Sequence, residues 1–158
     1  MAGREDLAFT AGLKGSRDVA WRAFITAHAL VIERIERGLA EAGLPPLGWY
    51  DVLLELSVAP DRRLRMHELA RAVVLSRSGL TRLVDRLERA SLLRREPDPA
   101  DRRGSFAVLT DEGVAVRERM WPVYARGIAE HFGKHLGDKE VEVLIGALKR
   151  VLGAAREV

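Results

Sequence analysis

A chain of 158 residues with a net charge of +3, 47% apolar and 31% charged residues has the balance of one globular domain with enough length to bury a core. It has no cysteine, which removes disulfides, Cys-ligated zinc and a thiol switch. No run of 18 apolar residues occurs, and the opening MAGREDLAFTAGLKGSRD has no apolar signal core, so neither a membrane span nor a secretory signal is expected and the predicted location is the cytoplasm.

The first 15 residues are weakly patterned and predict a partly mobile arm. A long helix is expected over Arg17–Ala42, with Trp21, Phe24, Ile25, His28, Ile32, Ile35 and Leu39 as its apolar stripe. Gly43-Leu44-Pro45-Pro46 ends it. A second helix, Gly48–Val58, carries Val52, Leu53 and Leu56. Ala59-Pro60-Asp61 breaks the pattern, and the basic run Arg62-Arg63-Leu64-Arg65 follows.

Residues 66–110 carry most of the information. Two short helices are expected, Met66–Val74 and Arg77–Ala90, joined by a tight turn at Leu75–Ser76 with Ser76 as N-cap. In the second, Leu80, Val84 and Leu87 stand at i, i+4 and i+7 and form a buried stripe. Its other face shows Arg77, Ser78, Thr81, Arg82 and Asp85, mostly side chains that can bond phosphates and base edges. A strand is expected at Leu92–Arg95, then the turn segment EPDPADRRG, then a strand at Ser105–Leu109. Pro97 and Pro99 exclude a helix there. Asp101-Arg102-Arg103 lies at the expected tip, where a carboxylate two residues from an Arg can hold the guanidinium in one direction. A fixed Arg on a hairpin suits the negative potential of a narrow minor groove.

Helix, turn, helix and a two-stranded wing make a winged helix-turn-helix, a mainly α fold with a small β-wing. Thr110 caps a helix to about Phe132, with Pro122 expected to bend it, and Asp138 caps a last helix to about Ala155. Helix 1 and the last two helices bear more apolar surface than one chain of this shape can bury, so a two-fold dimer is expected.

Charge agrees with this layout. Between Arg62 and Arg103 there are 12 Arg against 6 Asp and Glu, so this stretch carries +6 and the remainder −3. A basic lobe on an acidic remainder is the electrostatic footprint of a DNA reader. The chain has no phosphate-binding glycine loop, serine elbow or paired catalytic carboxylates, so nothing supports an enzyme, and no cofactor is called for. His131 and His135 stand four apart with Gly133 between them and no further ligand nearby, so no metal site is expected.

The segment MHELARAVVLSRSGLTRLVDRLERASLLRREPDPADRRGSFAVLTDEG resembles the MarR-type (multiple antibiotic resistance) transcriptional regulators, most specifically over Asp101–Gly113. The family's wing pattern, Asp then Arg two positions on, falls on Asp101 and Arg103. Ser91 departs from it, standing where the family usually has Gly. The resemblance extends in layout over nearly the whole chain, 1–158. It implies a winged lobe at 46–110 and a helical dimerisation region at 16–45 and 111–156. It implies double-stranded DNA as partner, with contacts from Arg77, Ser78, Thr81, Arg82, Asp101, Arg102 and Arg103. The function expected is a homodimeric repressor on a pseudo-palindromic operator, released by a small aromatic or anionic ligand. In the urate-responsive branch, ligand sensing uses a helix-1 Trp, an Asp before the winged lobe and Arg residues near the recognition helix and wing. Trp21, Asp51, Arg82 and Arg95 are similar in position. The competing reading makes Trp21 dimer core, Asp51 a helix-start charge, and Arg82 and Arg95 DNA contacts. A different class of function, a winged-helix ligand-binding or protein-interaction module without DNA recognition, is opposed by the basic lobe and the Asp101–Arg103 wing.

Overall fold

The computed structural model describes residues 15–73 and 77–156. The expected N-terminal arm, apart from Gly15, and the Leu75–Ser76 turn with its Ser76 cap lie outside the described residues. The elements are α1 Ser16–Glu41, α2 Leu47–Val58, β1 Arg63–Arg65, α3 Met66–Ala72, α4 Arg77–Arg89, β2 Leu93–Asp98, β3 Asp101–Leu109, α5 Asp111–His131 and α6 Asp138–Arg156. Mostly helix with a small antiparallel sheet is the expected winged-helix class. Among the described residues no helix is long and apolar enough to cross a membrane.

Two helices end by the same device. After α1, Gly43 N donates to Ala40 O and Leu44 N to Leu39 O, with Gly43 at φ +67°. This is a Schellman stop, which needs one residue in the left-handed region. After α4, Ser91 N donates to Glu88 O and Leu92 N to Leu87 O, but here the left-handed residue is Ser91, at φ 61°. The family's glycine is absent, yet the turn keeps its form. Leu87 and Leu92, the apolar pair that such a stop brings together, are both buried.

The turn into α5 is equally tight. Thr110 Oγ1 accepts from Gly113 N at 3.0 Å, as an N-cap should, and donates to Ser91 O at 2.8 Å. Gly113 is required by close approach. A Cβ there would stand 2.1 Å from Leu92 O. The helix then continues through Pro122 to His131.

The sheet has three strands in the order β1-β3-β2, all antiparallel. Two expectations are corrected here. The basic run at Arg63–Arg65 is a strand, pairing with Val108–Phe106. The segment EPDPADRRG is not a long loop. β2 runs on to Asp98, which pairs with Asp101, leaving only Pro99 and Ala100 to turn. Arg102 and Arg103 therefore stand on β3 beside the tip, in the irregular stretch between the Asp98–Asp101 and Pro97–Ser105 pairs.

The described residues fall into two compact units, Ile35–Ala125 and the residues up to Arg34 with those from Arg126 onward. The first is a closed winged-helix core. Leu39, Val52, Leu53, Leu56, Leu69, Val84, Leu87 and Met120 are fully buried in it. In the second unit Trp21, Phe24 and His28 form a ladder along α1, with ring centroids 6.2 and 6.5 Å apart.

Candidate nucleic-acid interface

Helix α4 divides as its periodicity predicts. Leu80, Val84 and Leu87 are buried, joined by Leu83. Ser78, Thr81 and Arg82 are exposed, and Arg86 and Arg89 extend the same outer surface. Arg77 opens the helix, and its side chain lies outside the described residues. Thus Ser78, Thr81 and Arg82 present polar and cationic groups to solvent on a helix whose opposite face is anchored.

Asp85 departs from expectation. Its carboxylate is half-exposed and already paired. It accepts from Arg95 Nη2 at 2.5 Å, while Glu88 accepts from Arg95 Nη1 at 2.6 Å and from Arg95 N at 2.9 Å. One guanidinium on β2 thus ties two turns of α4 to the sheet. Its pKa is raised; burial alone would lower it, and the bonds to Asp85 and Glu88 outweigh that. In this form Arg95 is already committed to two carboxylates.

The wing carries Asp101, Arg102 and Arg103, all exposed. Asp101 Oδ1 accepts from Arg103 N at 3.0 Å. Asp101 therefore fixes the backbone of Arg103, where the sequence pointed to a bond with its guanidinium. The physical reason is reach: an Asp carboxylate bonds most readily to the amide two residues on.

Between the start of α4 and the wing lies a groove of about 350 Å³ with mixed polar and apolar walls, bordered by Thr81 on one side and Asp101, Arg103 and Gly104 on the other. Its floor holds a pair that sequence reasoning missed. Arg65 Nε donates to Asp98 Oδ2 at 2.7 Å. Asp98 is buried, and its carboxyl is held below the usual range first by the Arg65 bond and then by the Ala100 amide. The outer sheet face is basic and packed on an aromatic: Arg63 lies 4.5 Å and Arg65 5.3 Å from the Phe106 ring centroid.

The ligand-binding candidates divide between the two units. Trp21, 62% exposed, belongs to the second unit. Asp51, Arg82 and Arg95 belong to the winged unit. Asp51 sits beside an aromatic cluster in which Tyr50 and Tyr124 meet edge to face at 5.0 Å and Trp121 stands 6.2 and 6.0 Å from them. Burial, then Glu55 and Glu36, raise the Asp51 pKa. Burial and then Asp51 raise that of Tyr124. Within the second unit, Phe24, His28, Val31, Phe132, Leu144 and Leu148 line an apolar cavity of about 560 Å³. His131 ends α5 and His135 lies in the short turn after it. Among the described residues no group of three metal-type side chains occurs.

Comparison with known proteins agrees with this geometry. The family model described as MarR family matches residues 42–104. The uncharacterized HTH-type transcriptional regulator YkoM of Bacillus subtilis (strain 168) is 31% identical over 130 residues, 82% of each chain. The chain belongs to the MarR family. Its class of function is that of a DNA-binding transcriptional regulator. Among solved structures it is similar to Sco3205, a MarR family transcriptional regulator from Streptomyces coelicolor in complex with DNA. That match has a TM-score of 0.82 at 34% identity, covering 90% of this chain and 89% of Sco3205. It is also similar to the PcaV transcriptional regulator from Streptomyces coelicolor in complex with its natural ligand, with a TM-score of 0.71 at 29% identity, covering 92% of this chain and 99% of PcaV.

Proposed function

We propose that this protein is a cytoplasmic homodimeric repressor, not an enzyme, that reads a pseudo-palindromic operator and is released by a small aromatic or anionic ligand. One observation carries the DNA reading. The exposed face of α4, with Thr81, and the wing, with Arg103, border a single groove, so major-groove and minor-groove contacts are offered from one side. Ser78, Thr81 and Arg82, with Arg77 at the helix start, face base edges and phosphates. Arg102 and Arg103 enter the minor groove, with Asp101 holding the Arg103 backbone. Sco3205, solved with DNA, supports the same use here.

The reading lobe spans 46–110, and the helices at 16–45 and 111–156 carry dimerisation. The apolar cavity lined by α1 and α6 residues, and the exposed Phe24, Val151 and Leu152, support a second copy as the cover. Two lobes on a two-fold axis then meet successive turns of one duplex.

Release follows from the same ties. Within the winged unit Arg82 and Arg95 offer cations and Asp51 is a carboxylate that responds to added charge; Trp21, in the other unit, offers an exposed aromatic face. PcaV, solved with its natural ligand, supports a ligand-responsive family member. An anion reaching Arg95 must compete with Asp85 and Glu88. Success in that competition loosens α4 from the wing base, and both lobes lose register with the duplex.

The test is filter binding to the DNA upstream of the protein's own gene, over a salt series. Log K should fall linearly with log salt, by about 0.9 for each phosphate neutralised. Arg103→Ala should cost roughly 1–3 kcal/mol per head without altering the dimer. A flat salt response would remove the DNA reading.

A further inference from the structure

Asp98 is the one charged side chain buried among the described residues, at 5% exposure. A carboxylate out of water persists only when paired and hydrogen-bonded, and here each oxygen has a separate task. Oδ1 accepts from Ala100 N at 2.9 Å and closes the two-residue wing turn. Oδ2 accepts from Arg65 Nε at 2.7 Å. Arg65 and Asp98 stand on β1 and β2, the two strands that flank β3. Their bond therefore passes across the central strand of the wing. Gly104 of β3 makes room for it. A Cβ at Gly104 would stand 3.3 Å from Asp98 Cβ and 3.2 Å from Asp101 Oδ2.

Arg65 is held from its other end as well. It is the N-cap residue of α3, and its backbone N donates to Glu68 Oε2 at 3.0 Å. The first helix of the helix-turn-helix and the wing thus share one residue. Arg65 and Asp98 both line the groove bordered by Thr81 and Arg103. The pair sits where the angle between recognition helix and wing is set.

We propose that Asp98, acting through Arg65, is a positioning residue for operator reading. It fixes the wing against the helix-turn-helix, so that Arg103 and Thr81 meet one duplex together. The proposal rests on the DNA-reading function above. A half-free hairpin would still carry Arg103, but each binding event would then have to order it.

The test uses the full-length protein and a duplex obtained by binding selection from a random library. Asp98→Asn keeps the shape and leaves an oxygen for the Ala100 amide, but removes the charge on the Arg65 bond. It should weaken binding about tenfold and lower the salt slope by about 1 per head, as for a lost wing contact. Dimer mass should be unchanged, while amide exchange at Ala100 and Arg103 should quicken. In an Arg103→Ala background the same change should cost less than about twofold, because the residue it positions is already gone. Arg65→Lys keeps the charge and loses the Nε geometry. It should give the same pattern and carries the test if Asp98→Asn does not fold.

Three results would overturn the proposal. Tighter binding by Asp98→Asn would mean that Arg65, once released, serves phosphate directly. An equal loss with and without Arg103 would mean a general loss of folding. Unchanged affinity would leave the pair with no role in reading. Failure of the wild type to bind any selected duplex would remove the DNA-reading function and this proposal together, whereas wild-type binding with an indifferent Asp98→Asn removes the proposal alone.

Discussion

The winged unit and the terminal-helix unit solve burial in opposite ways. Among the described residues, every apolar side chain in the buried core lies between Ile35 and Met120. The described residues of the other unit contribute none of them, yet they include nine of the eleven large apolar residues that stand exposed among the described residues: Val19, Trp21, Phe24, Leu30, Phe132, Val143, Ile145, Val151 and Leu152. Both units have helices with apolar stripes. In the winged unit those stripes meet β3, where Ala107, Val108 and Leu109 are buried in succession, and each other. In the terminal unit they meet too little of their own chain. Stability in the first is therefore intramolecular, and in the second, on the dimer proposed above, it should depend on a second copy and on concentration.

Substitution separates the two kinds of burial. Leu53 is fully buried on α2, and Leu53→Ala should cost about 2–5 kcal/mol. That loss should be the same at low and high protein concentration. Chemical denaturation at two concentrations a hundredfold apart checks it, and a loss that grows on dilution would break the contrast. Phe24→Asp, on the exposed stripe of α1, should leave the winged unit folded. It should instead give a 17.6 kDa species in sedimentation. Operator affinity should fall on the order of a hundredfold, because two linked heads become one. A stable dimer with aspartate at position 24 would remove the apolar face from the interface.

The helix stops offer a finer test within the closed unit. Gly43 and Ser91 hold the same left-handed place in two Schellman turns. An L side chain there costs roughly 1 kcal/mol that glycine does not. Ser91→Gly should therefore raise stability by about 0.5–1 kcal/mol. The bond from Thr110 Oγ1 survives, since it goes to the Ser91 backbone oxygen. Thermal melts of the two forms decide. A lower melting temperature for Ser91→Gly would mean that the serine side chain contributes something the backbone geometry does not show.

What the sequence made legible follows the range of each interaction. The buried stripe Leu80, Val84, Leu87 repeats within one helix, so periodicity finds it. Thr110 as cap and Gly43 as stop are equally local. The strand Arg63–Arg65 was hidden because three residues show no alternation and the pairing partner, Phe106–Val108, lies far along the chain. Asp98 lies in EPDPAD, where proline and aspartate are turn chemistry, and nothing local says that Arg65 will bury it. Asp85 reads as one more polar residue on α4. Only the sheet, by placing Arg95 within reach, pairs it. The DNA-facing candidates could be named from sequence because polar residues on a regular element show in its periodicity. The residues that orient those elements could not, because their partners come from other strands.

The smallest expected effect concerns Asp51, at the margin of the closed unit. Its carboxylate is partly shielded and faces Glu55, one turn on along α2, and Glu36 of α1, with Tyr50 and Tyr124 beside it. Burial first, then the two glutamates, raise its pKa above the ordinary 3.8. For a raised carboxyl the sign is fixed. The stabilising contribution is fully present below 3.8 and is lost as pH rises through the folded value. At neutral pH the ionised group is therefore a cost, reduced by its solvent exposure. Asp51→Asn should raise the melting temperature at pH 7.5 by about 1–2 °C, and the gain should vanish near pH 3.5, where the native residue is also neutral. A gain that is the same at both pH values would assign the effect to packing or hydrogen bonding and not to charge. The result bears on release as well. If Asp51 senses the ligand as proposed, Asp51→Asn should blunt the loss of operator binding when urate, salicylate or protocatechuate is titrated in.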